Sequence, residues 1–173
     1  MNNIVLCGFM GCGKSTVGKN VARKTGKKYV DMDHYIEEKA GMRVSEIFEK
    51  YGEQGFRDME HEACVELSKE KNLIIASGGG ALTFERNVEV FKQSDTVVLL
   101  DVDLETIKYR LLNDKKRPLL QRPDKDDAMT ELYNKRLPLY RAAADITVKG
   151  QSTPLKTAFA VMDAVRLSNK HHT

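Results

Sequence analysis

The sequence predicts an α/β protein in which a five-stranded parallel sheet lies between layers of helices. Five short apolar runs recur between helix-like stretches, and the two longest show no polar alternation. A strand with one wet face alternates apolar and polar residues, whereas one covered by helices on both sides reads as a continuous apolar run. The helix-like stretches between the runs supply that cover.

The elements follow in order. Ile4–Cys7 is the first strand, and Lys14–Lys24 the first helix. A short strand at Tyr29-Val30 precedes helices over Asp33–Lys39, Arg43–Lys50 and Phe56–Lys71. In the last of these, Phe56, Met59, Ala63 and Leu67 recur at helical spacing, which sets an apolar stripe against the sheet with Arg57 and Glu60 beside it. Leu73–Ala76 is the third strand, followed by a helix over Phe84–Lys92 and a strand over Thr96–Leu100. Helices over Leu104–Leu112 and Asp126–Ala143 flank an irregular, proline-broken stretch from Asn113 to Lys125. A final strand, Ile146–Val148, and a helix over Pro154–Leu167 complete the pattern.

At 173 residues the chain is the size of one domain, expected to span 1–173, and needs no staple. With 41% hydrophobic and 31% charged residues, disorder is excluded. The 28 Lys and Arg exceed the 25 Asp and Glu by only three, and no aromatic residues interleave with a basic stripe, so no nucleic-acid partner is expected. No apolar stretch nears the ~18 residues that span a bilayer, and no leader pattern opens the chain, so neither a membrane nor export is expected and the location expected is cytoplasmic. Cys7, Cys12 and Cys64 form no ligand or disulfide pattern and read as small apolar fillers, with Cys12 oxidisable if exposed. No apolar stripe is left over, so a monomer is expected, and His171-His172 read as a solvated tail.

The chemistry begins at Gly8-Phe9-Met10-Gly11-Cys12-Gly13-Lys14-Ser15, a GxxxxGK[ST] match placed between a strand and a helix. Such a loop aims backbone N–H groups, a helix N-terminus and a lysine at one polyphosphate, and offers a serine hydroxyl to Mg²⁺. This implies nucleoside triphosphate binding and leaves the acceptor open. Asp31-Met32-Asp33 follows the second strand, and a period of two places both carboxylates on one side as the chain leaves the sheet. One can hold Mg²⁺ and the other accept a proton from an attacking hydroxyl, although Asp33 can equally cap the helix beginning at His34. Ser77-Gly78-Gly79-Gly80 lets backbone approach a ligand closely. Arg57, Arg117, Arg122 and Arg136 suit bidentate capture of carboxylate or phosphate. Phe48 and Phe56 either wall the acceptor or belong to the core, and Glu60 stands one turn from Arg57, where it can hold the guanidinium.

Taken together, this loop, the DxD, Phe56-Arg57-x-x-Glu60, the triple glycine, Arg117-Pro118-Leu119-Leu120 and Arg136-x-Pro138-Leu139-Tyr140 followed by Ala144-Asp145 resemble the shikimate kinase family from Ile4 to about Pro154. The resemblance implies a three-layer αβα P-loop kinase fold with a substrate-binding region at about 32–60 and a lid at about 112–125. It further implies Mg²⁺-dependent transfer of the ATP γ-phosphoryl group to the 3-hydroxyl of shikimate, giving shikimate 3-phosphate on the route to chorismate and the aromatic amino acids. On that basis Gly11, Cys12, Gly13, Lys14, Ser15 and Thr16 would cradle the nucleotide, with Arg110, Arg117 and Pro154 around it. Ser15 and Asp31 would hold the metal, and Asp33, Arg57, Gly78, Gly79, Gly80 and Arg136 the shikimate. Asp33, Lys14 and Arg117 would be catalytic. A kinase of the same architecture for gluconate or a nucleoside monophosphate, and a catalytically silent nucleotide-binding module, are the competing readings.

Overall fold

The structure is a computed structural model that describes residues 2–114 and 118–170. Five parallel strands, β1 (Ile4–Cys7), β2 (Lys28–Asp31), β3 (Leu73–Ala76), β4 (Thr96–Asp101) and β5 (Ile146–Lys149), form one sheet in the order β2-β3-β1-β4-β5. Seven α-helices stand among the described residues: α1 (Lys14–Thr25), α2 (Met32–Ala40), α3 (Val44–Lys69), α4 (Glu85–Lys92), α5 (Leu104–Leu111), α6 (Lys125–Ala143) and α7 (Pro154–Lys170).

From β1 the chain runs outward to β2, returns to β3 beside β1, and then crosses to β4 on the far side. Right-handed crossovers put α1 on one face and the helices that lead from β2 to β3, from β3 to β4 and from β4 to β5 on the other, while α7, after the last strand, returns to the face of α1. Accordingly α1 packs with α7, while α3 meets α4 and both α4 and α6 pack on β4, giving three layers. The order reverses at β1, and in such sheets a crevice opens at the carboxyl ends of the strands beside that reversal.

The three inner strands carry the core. Val5, Leu6, Ile74, Ile75, Val97 and Val98 are wholly buried, each contributing about 1.5–3 kcal/mol through burial. The edge strands β2 and β5 are only partly covered. The continuous apolar pattern thus belongs to the strands with helices on both faces. Cys7, Cys12 and Cys64 are buried free thiols, as their filler reading predicts. Burial raises the Cys7 thiol to about 12, so it stays protonated.

Two boundaries differ from expectation. The helices expected over Arg43–Lys50 and Phe56–Lys71 form one span, α3, broken only at Gly52, where φ 70° and ψ −177° admit little but glycine. The stretch from Asn113 to Lys125 contains a 3₁₀ turn at Pro118–Gln121 that buries Leu120. Three other ends are set by caps. The Asp103 carboxylate accepts from the Thr106 N–H at 2.8 Å to start α5, and left-handed Gly26 and Gly41 stop α1 and α2.

At the foot of the sheet, buried Asn3 donates from Nδ2 to the Glu70 carbonyl at 2.9 Å and accepts from the Leu73 N–H at 2.9 Å. Its own N–H donates to Asp95 Oδ1 at 3.1 Å. Asp95 Oδ2 is buried without a hydrogen-bond partner among the described residues. No helix among the described residues is long and apolar enough to cross a membrane.

Candidate active site

Strand register brings the functional segments out at one level. Asp31 pairs with Ala76 across β2 and β3, and Ala76 pairs with Leu6 across β3 and β1. Ser77 then donates from both its N–H and its hydroxyl to the Leu6 carbonyl at 3.0 Å. The loop after β1, the two aspartates and the triple glycine therefore leave the sheet side by side. They open onto a cleft of about 660 Å³ lined by residues 10–17, Asp31, Asp33, Gly79, Arg110 and Pro154.

On the loop side, positive φ at Gly8 (144°), Gly11 (73°) and Gly13 (101°) winds the turn into α1, whose N-terminus faces this cleft. Lys14 Nζ donates to the carbonyls of Gly8 at 2.7 Å and Phe9 at 3.1 Å, folding back over its own loop. Arg110 reaches across from α5 and donates from Nη1 to the Gly11 carbonyl at 3.2 Å. Pro154 opens α7 behind Thr153, whose hydroxyl accepts from the Lys156 N–H at 3.2 Å.

Asp31 and Asp33 both line the cleft, but strand periodicity is not what brings them there. Asp31 ends β2, but Asp33 lies in the first turn of α2, so the strand-to-helix junction brings both into the cleft. The helix cap considered for Asp33 is Asp31 instead, whose Oδ1 accepts from the His34 N–H at 3.2 Å. The other oxygen, Oδ2, is approached by the Ser15 hydroxyl at 3.3 Å and the Tyr29 hydroxyl at 3.4 Å. Burial raises the Tyr29 phenol, which keeps it a donor to that carboxylate. Hard oxygens from Ser15 and Asp31 beside a phosphate-binding loop fit Mg²⁺, which takes one or two protein oxygens together with phosphate oxygens.

The far wall of the site is the triple glycine, and each member lies against a different charged side chain. A Cβ on Gly78 would stand 2.9 Å from Asp33 Oδ1, one on Gly79 3.7 Å from Arg136 Nη1, and one on Gly80 2.7 Å from Arg57 Nη1. Side chains at positions 78 and 80 would strike a charged neighbour, and the residues that sequence reasoning paired as acceptor ligands are here gathered around one turn of backbone.

Arg57 is held from several directions. Nη1 donates to Glu60 Oε2 at 2.9 Å, and the guanidinium lies 5.0 Å from the Phe84 ring centre and 5.3 Å from that of Phe56. Nε faces Glu53 at 3.6 Å, within ion-pair reach but beyond a hydrogen bond. Glu60 is 1% exposed, and burial raises its pKa against the opposing pull of Arg57. Phe56 is core, while Phe48, partly exposed, tilts against it at 4.6 Å between ring centres.

Of the expected site residues, the loop from Gly11 to Thr16, Asp31, Asp33, Gly79, Arg110 and Pro154 line one cleft, and Arg57, Arg136, Gly78 and Gly80 adjoin it. Arg117 and the His171-His172 pair lie outside the described residues. Arg122 is engaged by Asp124 through Nε at 2.9 Å and Nη2 at 2.7 Å. Sequence reasoning missed Tyr29, Phe84, and Gln151 and Ser152, which line the cleft just before Pro154. The period-two relation of Tyr29 to Asp31 could have found the first, whereas the stacking of Phe84 on Arg57 leaves no local signal.

A sequence model described as shikimate kinase matches residues 10–166. The shikimate kinase of Thermodesulfovibrio yellowstonii is 41% identical over 171 residues, covering 98% of both chains. That of Sulfurihydrogenibium sp. is 39% identical over 166 residues, covering 96% of this chain and 99% of the relative. Among solved structures, the shikimate kinase of Acinetobacter baumannii in complex with shikimate superposes with a TM-score of 0.90 at 41% identity, over 98% of this chain and 95% of the other. A gluconokinase of Sinorhizobium meliloti reaches a TM-score of 0.56 at 13% identity over 98% and 97% of the two chains, a likeness of fold alone. With its P-loop, paired aspartates and glycine wall in one cleft, and with full-length relatives at this identity, the chain belongs to the shikimate kinase family.

Proposed function

We propose that this chain transfers the γ-phosphoryl group of ATP to the 3-hydroxyl of shikimate, forming shikimate 3-phosphate in the biosynthesis of chorismate and the aromatic amino acids. The observation that carries the reading is the glycine wall, with Asp33 at one end and the guanidinium groups of Arg136 and Arg57 along it. A compact acid with one carboxylate and several hydroxyls needs that pairing, cations at one end and a proton acceptor at the other.

The loop amides and the N-terminus of α1 hold the β and γ phosphates, and Lys14 turns from its own carbonyls onto them. Ser15 and Asp31 would hold Mg²⁺, which would supply positive charge to the phosphate oxygens. Arg57 and Arg136 clamp the shikimate carboxylate, each guanidinium offering paired donors to its two oxygens. Glu60, bonded to Arg57, fixes the direction of that clamp. Asp33 accepts a hydrogen bond from the 3-hydroxyl, directs its oxygen at the γ-phosphorus and takes its proton as the new P–O bond forms and the bond from the γ-phosphorus to the bridging oxygen breaks, releasing ADP. Arg117, by its resemblance to the family's lid arginine, is assigned the stabilisation of charge on the transferring phosphoryl group. Arg110 and Pro154 flank the adenine. Positioning and charge supply nearly all of the rate in such transfers.

The test is a panel of acceptors with ATP and Mg²⁺, following ADP release and identifying the product by mass spectrometry. Shikimate-dependent ADP release with one phosphate added is the expected result. Activity on gluconate or AMP without activity on shikimate would replace this reading, and no acceptor-dependent release at all would favour a silent nucleotide-binding module.

A further inference from the structure

This inference rests on the reading of the site as shikimate-binding. Three successive glycines make a segment of unusual conformational freedom, yet a wall that recognises a ligand must be still. The structure shows how its carbonyls are fastened. The Gly78 carbonyl accepts from the Ala81 N–H at 3.2 Å, and the Gly80 carbonyl from the Thr83 N–H at 3.1 Å and the Thr83 hydroxyl at 2.7 Å. Both sets of donors come from the same local turn. The Gly79 carbonyl accepts instead from the hydroxyl of Tyr140, 61 residues further along the chain.

Tyr140 is 2% exposed, on α6, and one helical turn beyond Arg136. Residues four apart on a helix share a face. Arg136 Nη1 comes within 3.7 Å of a Cβ position on the same Gly79. Burial pushes the Tyr140 phenol up to about 12 against the opposing pull of Arg136, so it is a neutral donor at any working pH. All described peptide bonds are trans, so the carbonyl of Gly79 and the N–H of Gly80, which share one planar unit, point in opposite directions. A carbonyl drawn toward α6 therefore turns the Gly80 N–H away from α6.

We propose that Tyr140 is a positioning residue for shikimate: its hydroxyl sets the plane of the Gly79–Gly80 peptide so that the Gly80 N–H is presented to the acceptor, and it fastens the glycine wall to the helix that carries Arg136. Tyr140 touches neither substrate. It makes the backbone donor and the carboxylate clamp parts of one rigid unit, and its removal leaves a part-buried carbonyl without that donor in a run of three glycines.

The variant Tyr140→Phe keeps the ring and removes only the hydroxyl. In the full chain, the Kd for shikimate by calorimetry and the KM for shikimate should both rise about ten-fold, while the KM for ATP and kcat stay within about two-fold. A shikimate Kd equal to the parent's would overturn the proposal, as would equal losses for shikimate and ATP, which would mark general loosening. A measurement on the unaltered chain stands independently of how well the variant folds: on adding shikimate, the Gly80 amide resonance should shift and gain protection from exchange, and ADP alone should leave it unmoved. A Gly80 amide indifferent to shikimate would also overturn the proposal. The parent enzyme's turnover of shikimate, measured alongside, separates the two failures, because a parent inert toward shikimate sinks the underlying reading whatever Tyr140 does.

Discussion

The two halves of the cleft are built in opposite ways. The nucleotide half is nearly contiguous: residues 8–16 supply its amides, lysine and hydroxyls, and its shape comes from glycine dihedrals within that one loop. The acceptor half draws on Asp33, Arg57, the glycines at 78–80 and Arg136, which meet only because α2, β3, α3 and α6 pack as they do. Local backbone chemistry can make a phosphate site almost anywhere a strand feeds a helix. A site for one particular alcohol needs long-range packing, and its specificity is as strong as the contacts that hold those elements in place.

If the halves are separable, changes on the acceptor side should leave ATP binding alone. The largest effect is expected for Asp33→Asn, which should cut kcat by at least ~10²-fold with ATP affinity little changed, because the proton acceptor goes and the phosphate cradle stays. Steady-state kinetics together with direct nucleotide binding checks this, and near-normal turnover would remove Asp33 from its role. Next, Arg136→Ala should raise the KM for shikimate by about 10- to 100-fold, since a charge-assisted contact is lost. An unchanged KM would place the carboxylate elsewhere. Gly80→Ala should raise the same constant by roughly ten-fold: the new Cβ would stand 2.7 Å from an Arg57 held by Glu60 and two rings, and the clamp would have to shift. An equal rise in the KM for ATP would show that the halves are coupled after all.

The smallest effect is expected at a residue outside both halves. Burial raises Asp95 above its ordinary 3.8, so the folded chain holds that proton more tightly than the unfolded one. Its contribution to stability is full below 3.8 and is lost as pH rises through the raised folded value. Asp95→Asn removes this ionisation, and the difference in Tm between variant and parent should move in the variant's favour as pH is raised from below 3.8 toward neutrality. Both Michaelis constants should be unaffected. Thermal melts across that range decide it, and a difference independent of pH would mean that Asp95 does not titrate there.

The same contrast explains what could be read from sequence. The loop at Gly8–Ser15 was legible because its chemistry is contiguous, and the inner strands were legible because cover on both faces removes polar alternation. Arg57, Arg136 and the glycines were singled out by residue type and family resemblance, yet which glycine meets which side chain is a matter of packing that no local pattern encodes. Asp33 was placed in the right cleft through the wrong geometry, because strand periodicity stops where α2 begins. The continuity of α3 was hidden by Gly52, which reads as a breaker in sequence but serves as a bend within one span. Tyr29 and Tyr140 make their hydrogen bonds through hydroxyl groups on rings that otherwise look like ordinary apolar filling.

The folded-back Lys14 bears on what an affinity for nucleotide would measure. Its ammonium already satisfies two carbonyls of the loop, so an incoming phosphate acts as a competitor for a cation that is in use. The observed binding energy is then the difference between two well-made sets of bonds, smaller than the new contacts alone would suggest. The loop in return solvates its own cation, with two carbonyls standing where water otherwise would.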